Sequence, residues 1–258
     1  MNITRRLSPS RTIGRNGLTP DLIVIHTTGG TFTSAVNTVL NAANQVSYHF
    51  IISATGEIVQ AVDIENMAWA NGTTNNNDAR DNRHSALAVV RERRINANLY
   101  SVSIGLGDMP TGMPSAAQMN ALVWLIGHIR AEVERIYRLT IPFARTNIVG
   151  HDEITPIHRP DCPGRRFPWD DLISRLADAE KCELLGKLEQ LRTDLERWTD
   201  NSRIKFAWVD SNMPEWARPT IHKLTQRRIL FGDEHGRLNL SNDMLRLFVA
   251  LDRAGVFE

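Results

Sequence analysis

Two imidazoles and one thiol stand out by where the chain puts them. His26 closes the apolar run Leu22-Ile23-Val24-Ile25, which reads as a buried strand, and Thr27-Thr28-Gly29-Gly30 breaks that run at once. Ile148-Val149-Gly150 delivers His151 in the same way, and Cys162 stands just before Pro163-Gly164, where the chain must turn. Two ring nitrogens and a sulfur suit zinc, and three protein ligands leave the fourth tetrahedral position open. An open position distinguishes a catalytic zinc from a structural one held by four side chains. The trio reads as a zinc site and the chain as a metallohydrolase. Taken singly, His26 reads equally well as a satisfied core histidine and Cys162 as a small buried apolar residue.

Such a trio needs a rigid frame. Strand patterns near residues 21–27, 47–53, 57–62 and 101–106 alternate with helical ones over Thr33 to Ala43 and Ser115 to Arg138, the longer carrying Met119, Leu122, Val123, Ile126, Ile129, Val133 and Ile136 at helical spacing. This alternation predicts an α/β fold, a mixed central sheet flanked by helices. Asn71 to Asn82, rich in Asn, Asp, Thr and Gly, reads as a surface loop. Trp69, just before it, is a candidate to line a glycan or peptide groove, with buried core as the alternative.

The strand ending in His26 forms an ordered set with three further features. These are Val46-Ser47-Tyr48-His49-Phe50-Ile51-Ile52 followed by Thr55-Gly56-Glu57-Ile58, the Ala68-Trp69 pair, and the run from Gly150-His151 to Cys162-Pro163-Gly164. Over about residues 15–178 this set resembles zinc-dependent N-acetylmuramoyl-L-alanine amidases of the type 2 family, the superfamily that includes peptidoglycan recognition proteins and phage lysozyme-type amidases. The resemblance implies zinc ligation by His26, His151 and Cys162, and hydrolysis of the amide between muramic acid and the L-alanine of the peptide stem. It places Tyr48 where the family often has a catalytic tyrosine, a hydrogen-bond donor to an oxyanion. His49, alternating with Tyr48, points to the other face and reads as structural.

The chain departs from the family pattern twice. Many members carry a glutamate, a proposed general base, on the strand that here reads Tyr100-Ser101-Val102-Ser103-Ile104-Gly105-Leu106-Gly107; Gly105 is the best match and Gly107 the other. Many also carry a basic residue two positions before the third ligand, where Pro160 stands. Arg159 is the preferred replacement, with His158 as the alternative. A guanidinium holds an oxyanion but does not readily act as a base. Loss of a base typically removes a factor of ~100–10,000 in rate, so a peptidoglycan-binding zinc module with weak or no hydrolysis is the main rival to an enzyme. Asp152 and Glu153 read as surface carboxylates or as groups that orient the neighbouring ligand.

The 258 residues hold 30 Lys and Arg against 29 Asp and Glu, and no block of like charge, which argues against nucleic-acid binding. Two cysteines, one already assigned to metal, give no disulfide framework, although a Cys162–Cys182 bridge under oxidation stays open. The start, Met1 to Ser8, lacks the apolar core of a secretory signal, and no run approaches the ~20 apolar residues that cross a bilayer. The expectation is synthesis in the cytoplasm without membrane insertion, and action on the cell wall after release, as in a phage or prophage endolysin; a cytoplasmic muropeptide-recycling amidase is the alternative.

Three segments are expected: a catalytic domain over 1–178, a linker helix over 179–204 and a small helical module over 205–258. Within the linker, Leu184, Leu188, Leu191, Leu195 and Trp198 repeat at spacings of four and three, a short heptad seam. Met213-Pro214-Glu215-Trp216-Ala217, Ile229-Leu230-Phe231-Gly232-Asp233 and Met244-Leu245-Arg246-Leu247 suggest helix, turn and helix, resembling one copy of a surface-layer-homology-like repeat. That resemblance implies wall binding; a helical dimerisation unit is the competing reading, and residues 181–258 are the place for a homo-oligomer contact.

Overall fold

The computed structural model describes residues 1–73, 82–109, 112–203 and 205–257. In chain order the elements are β1 (Ile3–Arg5), β2 (Arg11–Thr12), β3 (Leu22–Thr27), α1 (Phe32–Leu40), β4 (Phe50–Ile52), β5 (Ile58–Gln60), β6 (Met67–Ala68), α2 (Ala88–Arg93), β7 (Ser101–Leu106) and α3 (Ala116–Tyr137). They continue with β8 (Ile148–Gly150), α4 (His151–Ile154), α5 (Trp169–Arg203), β9 (Lys205–Phe206), α6 (Arg218–Gln226), β10 (Leu240–Ser241) and α7 (Asn242–Arg253). By internal contacts the chain forms two compact units, Met1–Glu180 and Lys181–Glu258.

The first unit is the expected α/β architecture. Its six-stranded sheet runs β1-β5-β4-β7-β3-β8. β4, β7, β3 and β8 are mutually parallel, whereas β5 is antiparallel to β4 and parallel to β1. Leu22, Ile23, Val24 and Ile25 are at most 1% exposed, as befits an apolar run in a central parallel strand covered on both faces. On one face Ile23, Ile25, Ile52, Val102 and Ile104 pack with Leu122, Leu125, Ile126 and Ile129 of α3 and with Leu172 and Leu176 from the start of α5. On the other, Leu22 and Val24 join Val90 of α2, and Ile51 and Val59 join Val36 and Val39 of α1.

Capping fixes where the helices start. Ser115 accepts the Gln118 amide at 3.0 Å to open α3, and Thr31 accepts the Ser34 amide at 3.2 Å to open α1. Each bond satisfies an amide that the first helical turn leaves without a partner. Arg138 then ends α3 in the left-handed region, φ 58°.

Of the loop expected over Asn71 to Asn82, residues 74–81 lie outside the described residues. Its ends are anchored inward: Asn71, Thr73 and Asn82 are buried, although Gly72 between the first two is exposed. The reason is hydrogen bonding that composition does not reveal. Asn98 Oδ1 accepts the amides of Ala70 and Asn71 at 3.2 and 2.8 Å, and Thr73 Oγ1 accepts that of Ala97 at 2.7 Å.

The second unit has its own small core of Met213, Ala217, Ile221, Leu224, Leu240, Leu245 and Val249. Beyond the expected helices it contains a short antiparallel pair, β9 with β10, that sets Phe206 opposite Leu240. Asp252 on α7 ties the two helices together, accepting from Lys223 Nζ at 2.7 Å and Thr220 Oγ1 at 2.8 Å on α6. Among the described residues no helix is long and apolar enough to cross a membrane.

Candidate metal centre

His26 sits near the carboxyl end of β3 and His151 directly follows β8, its parallel neighbour. The carboxyl ends of parallel strands are where α/β sheets gather their functional groups. Cys162 comes back to the same edge through the loop after α4, where its carbonyl accepts the Asp152 amide at 2.7 Å and its thiol lies 3.9 Å from the Thr27 carbonyl. The donor atoms of His26, His151 and Cys162 all lie within 4.8 Å of one another, and all three residues are buried. Both cysteines are free thiols, Cys162 buried and Cys182 exposed.

The protonation states suit a metal. The His151 Nε2–H donates to the Asn71 carbonyl at 2.9 Å, which leaves the Nδ1 lone pair as the free donor. Burial pushes His151 down to about 4 and drives His26 well below the ordinary histidine range, so both rings are neutral at physiological pH. Burial raises the Cys162 thiol to about 11; a bound cation would have to displace that proton, as metals do at coordinating thiols. A buried, neutral, nitrogen-and-sulfur donor set of this kind fits zinc better than it fits magnesium or calcium, which take oxygen ligands.

Around the trio the other expected residues take different places. Tyr48 is with it: its ring centroid is 5.1 Å from that of His26, and burial, followed by the proximity of Cys162, raises its phenol so that it stays protonated. Arg159 is exposed, yet its guanidinium is near enough to lower the charge-bearing tendency of His26 and His151 and to favour the anionic forms of Tyr48 and Cys162. Trp69 is half-buried, and its indole N–H donates to Thr12 Oγ1 at 2.9 Å. His49 makes its contacts elsewhere: Ser103 N–H donates to its Nδ1 at 3.0 Å, and its Nε2 lies 3.0 Å from the Asn66 carbonyl and 2.8 Å from Arg15 Nη2.

Two acidic neighbours differ in role. Glu153 caps α4, accepting the Gly150 amide at 2.8 Å, and pairs with Arg145 at 2.7 Å. Asp152 folds its carboxylate over Gly150, where a Cβ would fall 2.1 Å from Oδ1, and burial followed by the charge of Glu153 raises it to about 6.

The two glycines on β7 and just beyond it are now distinguishable. Gly105 pairs with His26 in the β3–β7 register. A Cβ at Gly107 would come 2.7 Å from the Phe32 backbone, so no side chain fits there.

Asn71 is the residue that reading the sequence missed. Besides its carbonyl, which fixes His151, its side chain acts on His26, opposing the larger lowering by burial and by His151. His26 Nε2 and Asn71 Oδ1 are each buried without a hydrogen-bond partner among the described residues, a complementary donor and acceptor. Asn71 Nδ2 donates to Ser101 Oγ at 2.8 Å, which turns Oδ1 the other way. Its place two residues after Trp69 was the available signal, hidden by the loop-like composition that follows.

A cavity of about 620 Å³, lined by Thr27, Gly29, Gly30, Thr31, Asp108 and Met109, adjoins the trio through Thr27. Fold and site together define an α/β protein with a His, His and Cys group that could hold a metal ion at the carboxyl edge of its sheet. A family model described as N-acetylmuramoyl-L-alanine amidase matches residues 16–165, and the chain belongs to that family. It is 32% identical over 125 residues to the 1,6-anhydro-N-acetylmuramyl-L-alanine amidase AmpD of Salmonella typhimurium, a match covering 48% of this chain and 54% of that protein. The chain thus spans about half the length of this curated relative. Among solved structures, a selenomethionine derivative of AmpD aligns at TM-score 0.48 and 23% identity, covering 68% of this chain and 93% of that one. The catalytic domain of XlyA aligns at TM-score 0.43 and 21% identity, covering 68% and 99%. E. coli AmiD, in complex with anhydro-N-acetylmuramic acid-L-Ala-D-gamma-Glu-L-Lys, aligns at 0.44 and 26%, covering 60% and 57%.

Proposed function

We propose that the chain is a zinc-dependent peptidoglycan hydrolase that cleaves the amide between N-acetylmuramic acid and L-alanine, and that it works as a phage or prophage endolysin. The observation supporting this most is the convergence of His26, His151 and Cys162 within 4.8 Å beside an open cavity. Zinc, when bound, supplies Lewis-acid polarisation of the scissile carbonyl and activates water near neutral pH.

The chain's own residues supply the rest. The protonated Tyr48 phenol donates a hydrogen bond to the oxygen that gains charge as the amide carbon becomes tetrahedral. Arg159 adds positive potential at the mouth of the site. The Asn71 carbonyl holds the His151 ring in one orientation, and the exposed part of Trp69 offers an apolar surface to a sugar or peptide. The unit after α5 serves as a wall-binding module, so that the enzyme made in the cytoplasm is retained on peptidoglycan once it reaches the wall.

A second reading, a cytoplasmic amidase recycling 1,6-anhydro muropeptides, is favoured by the relation to AmpD. Gly105 in place of a glutamate favours a third, a peptidoglycan-binding protein with weak hydrolysis. Purified peptidoglycan and soluble anhydro-muropeptides are each treated with zinc-loaded protein, with Cys162→Ser and with a chelated sample, and new L-alanine amino termini are measured. Release from intact peptidoglycan that both controls abolish supports the endolysin. Release from the soluble substrate alone supports recycling, and wall binding without release overturns the enzyme.

A further inference from the structure

Every residue from Lys181 to Trp198 on α5 is solvent-exposed. On this stretch Leu184, Leu188, Leu191, Leu195 and Trp198 are between 59% and 69% exposed. Their spacing of four and three puts them on one face, about 21 Å long at 1.5 Å per residue. Intrahelical ion pairs flank that face: Lys187 with Glu183, Arg192 with Glu189 and Arg197 with Asp194. An apolar stripe of this size between charged flanks is the pattern of a helix that buries its seam against another helix.

We propose that this face pairs with the same face of a second copy of the chain, and that the two helices run antiparallel. The heptad places Lys181, Leu188 and Leu195 at one core position and Leu184, Leu191 and Trp198 at the other. In an antiparallel pair these two positions face each other across a two-fold axis. Leu188 then meets the partner's Leu191, Leu184 meets the partner's Leu195, and Lys181 lies against the partner's Trp198, a cation on an aromatic face. Lys187 on the flank comes beside the partner's Asp194. A parallel, in-register pair instead sets Lys181 against its own copy and Lys187 against the partner's Arg192, two like-charge contacts. Flanking charges of this kind choose orientation in helix pairs.

The inference rests on α5 alone and is independent of the metal site. It adds to the proposed function that two copies of the C-terminal unit act together, which strengthens wall retention through effective concentration.

Sedimentation of the full chain under reducing conditions, so that the exposed Cys182 cannot form the link, is read against the 29.1 kDa of one chain. The expected mass rises with concentration to twice that value. The double variant Leu188→Glu, Leu191→Glu stays monomeric at every concentration with its helical content intact, since both positions are exposed in the single chain and glutamate is a good helix former. Lys187→Glu weakens association several-fold, and adding Asp194→Lys restores it. A monomer throughout, or a dimer indifferent to the two leucine changes, overturns the proposal. Tighter association of Lys187→Glu overturns the antiparallel arrangement, because a parallel pair would gain a contact with the partner's Arg192.

Discussion

Gly105 pairs with His26 across the β3–β7 register, and a Cβ on it would stand 3.0 Å from Cδ2 of Tyr48 and 3.1 Å from Cγ2 of Thr28. The space beside Gly105 is filled by the edge of the tyrosine ring and the Thr28 methyl. Gly105→Ala is therefore expected to destabilise the fold by about 1–2 kcal/mol through overpacking. Gly105→Glu is expected to lower amide hydrolysis rather than raise it, because the new side chain must displace Tyr48. Denaturant unfolding and the alanine-release assay measure the two effects; a faster Gly105→Glu enzyme would falsify this account.

The approach to β4 brings the Tyr48 ring to 5.1 Å, centroid to centroid, from that of His26. Removing one preorganised oxyanion donor typically costs ~100–1,000-fold in kcat. Tyr48→Phe should lose rate in that range while its zinc affinity stays at the wild-type value, since the phenol belongs to no ligand. Equal losses in both quantities would mean that the ring only holds His26 in place.

Asn71→Ala keeps the carbonyl that accepts from His151 but removes the side chain that acts on His26. Loss of a group that orients a metal ligand typically costs ~10–100-fold in affinity, and that is the loss expected from competition against a chromophoric chelator. Asn71→Asp retains the acceptor and should recover most of the affinity. In the metal-free protein, nitrogen NMR should find His26 protonated at Nε2 in the wild type and mixed in Asn71→Ala, with His151 unchanged.

His49 makes stability depend on acid. Burial and the Arg15 guanidinium, 2.8 Å from Nε2, hold its pKa well below the ordinary 6.5, and His26 lies close by. Below about pH 6.5 the unfolded chain binds a proton that the folded chain refuses. The contribution of neutral His49 is complete above that pH and is lost as pH falls towards its folded pKa. Stability of the chelated protein should decline on acidification, with His49 adding up to about 1.4 kcal/mol per pH unit. His49→Gln should start less stable at neutral pH and decline less steeply; parallel melting curves for the two proteins would show that His49 titrates normally.

Much of the first unit was legible in the sequence because its signals are local. A continuous apolar run such as Leu22-Ile23-Val24-Ile25 is satisfied by burial on both faces, and the helical spacing from Met119 to Ile136 survives any arrangement of neighbours. The breaks after His26 and before His151 placed both imidazoles at strand ends, and the turn at Pro163-Gly164 marked Cys162. The seam from Leu184 to Trp198 was legible for the same reason.

Tertiary structure alone decided which of these residues meet. That β3 lies between β7 and β8 depends on hydrogen-bond register between segments 79 residues apart (Leu22 with Ser101) and 125 residues apart (Ile23 with Ile148), and no local pattern encodes register across such distances. It alone placed Gly105 beside His26 and left Gly107 against the Phe32 backbone. It also turned Asn71 inward, since a polar residue in a polar stretch looks solvated until Asn98, Ser101 and His151 are brought to its donors and acceptors. The residue types that bind a metal are a property of the sequence; the second layer that orients them is a property of contacts between distant segments.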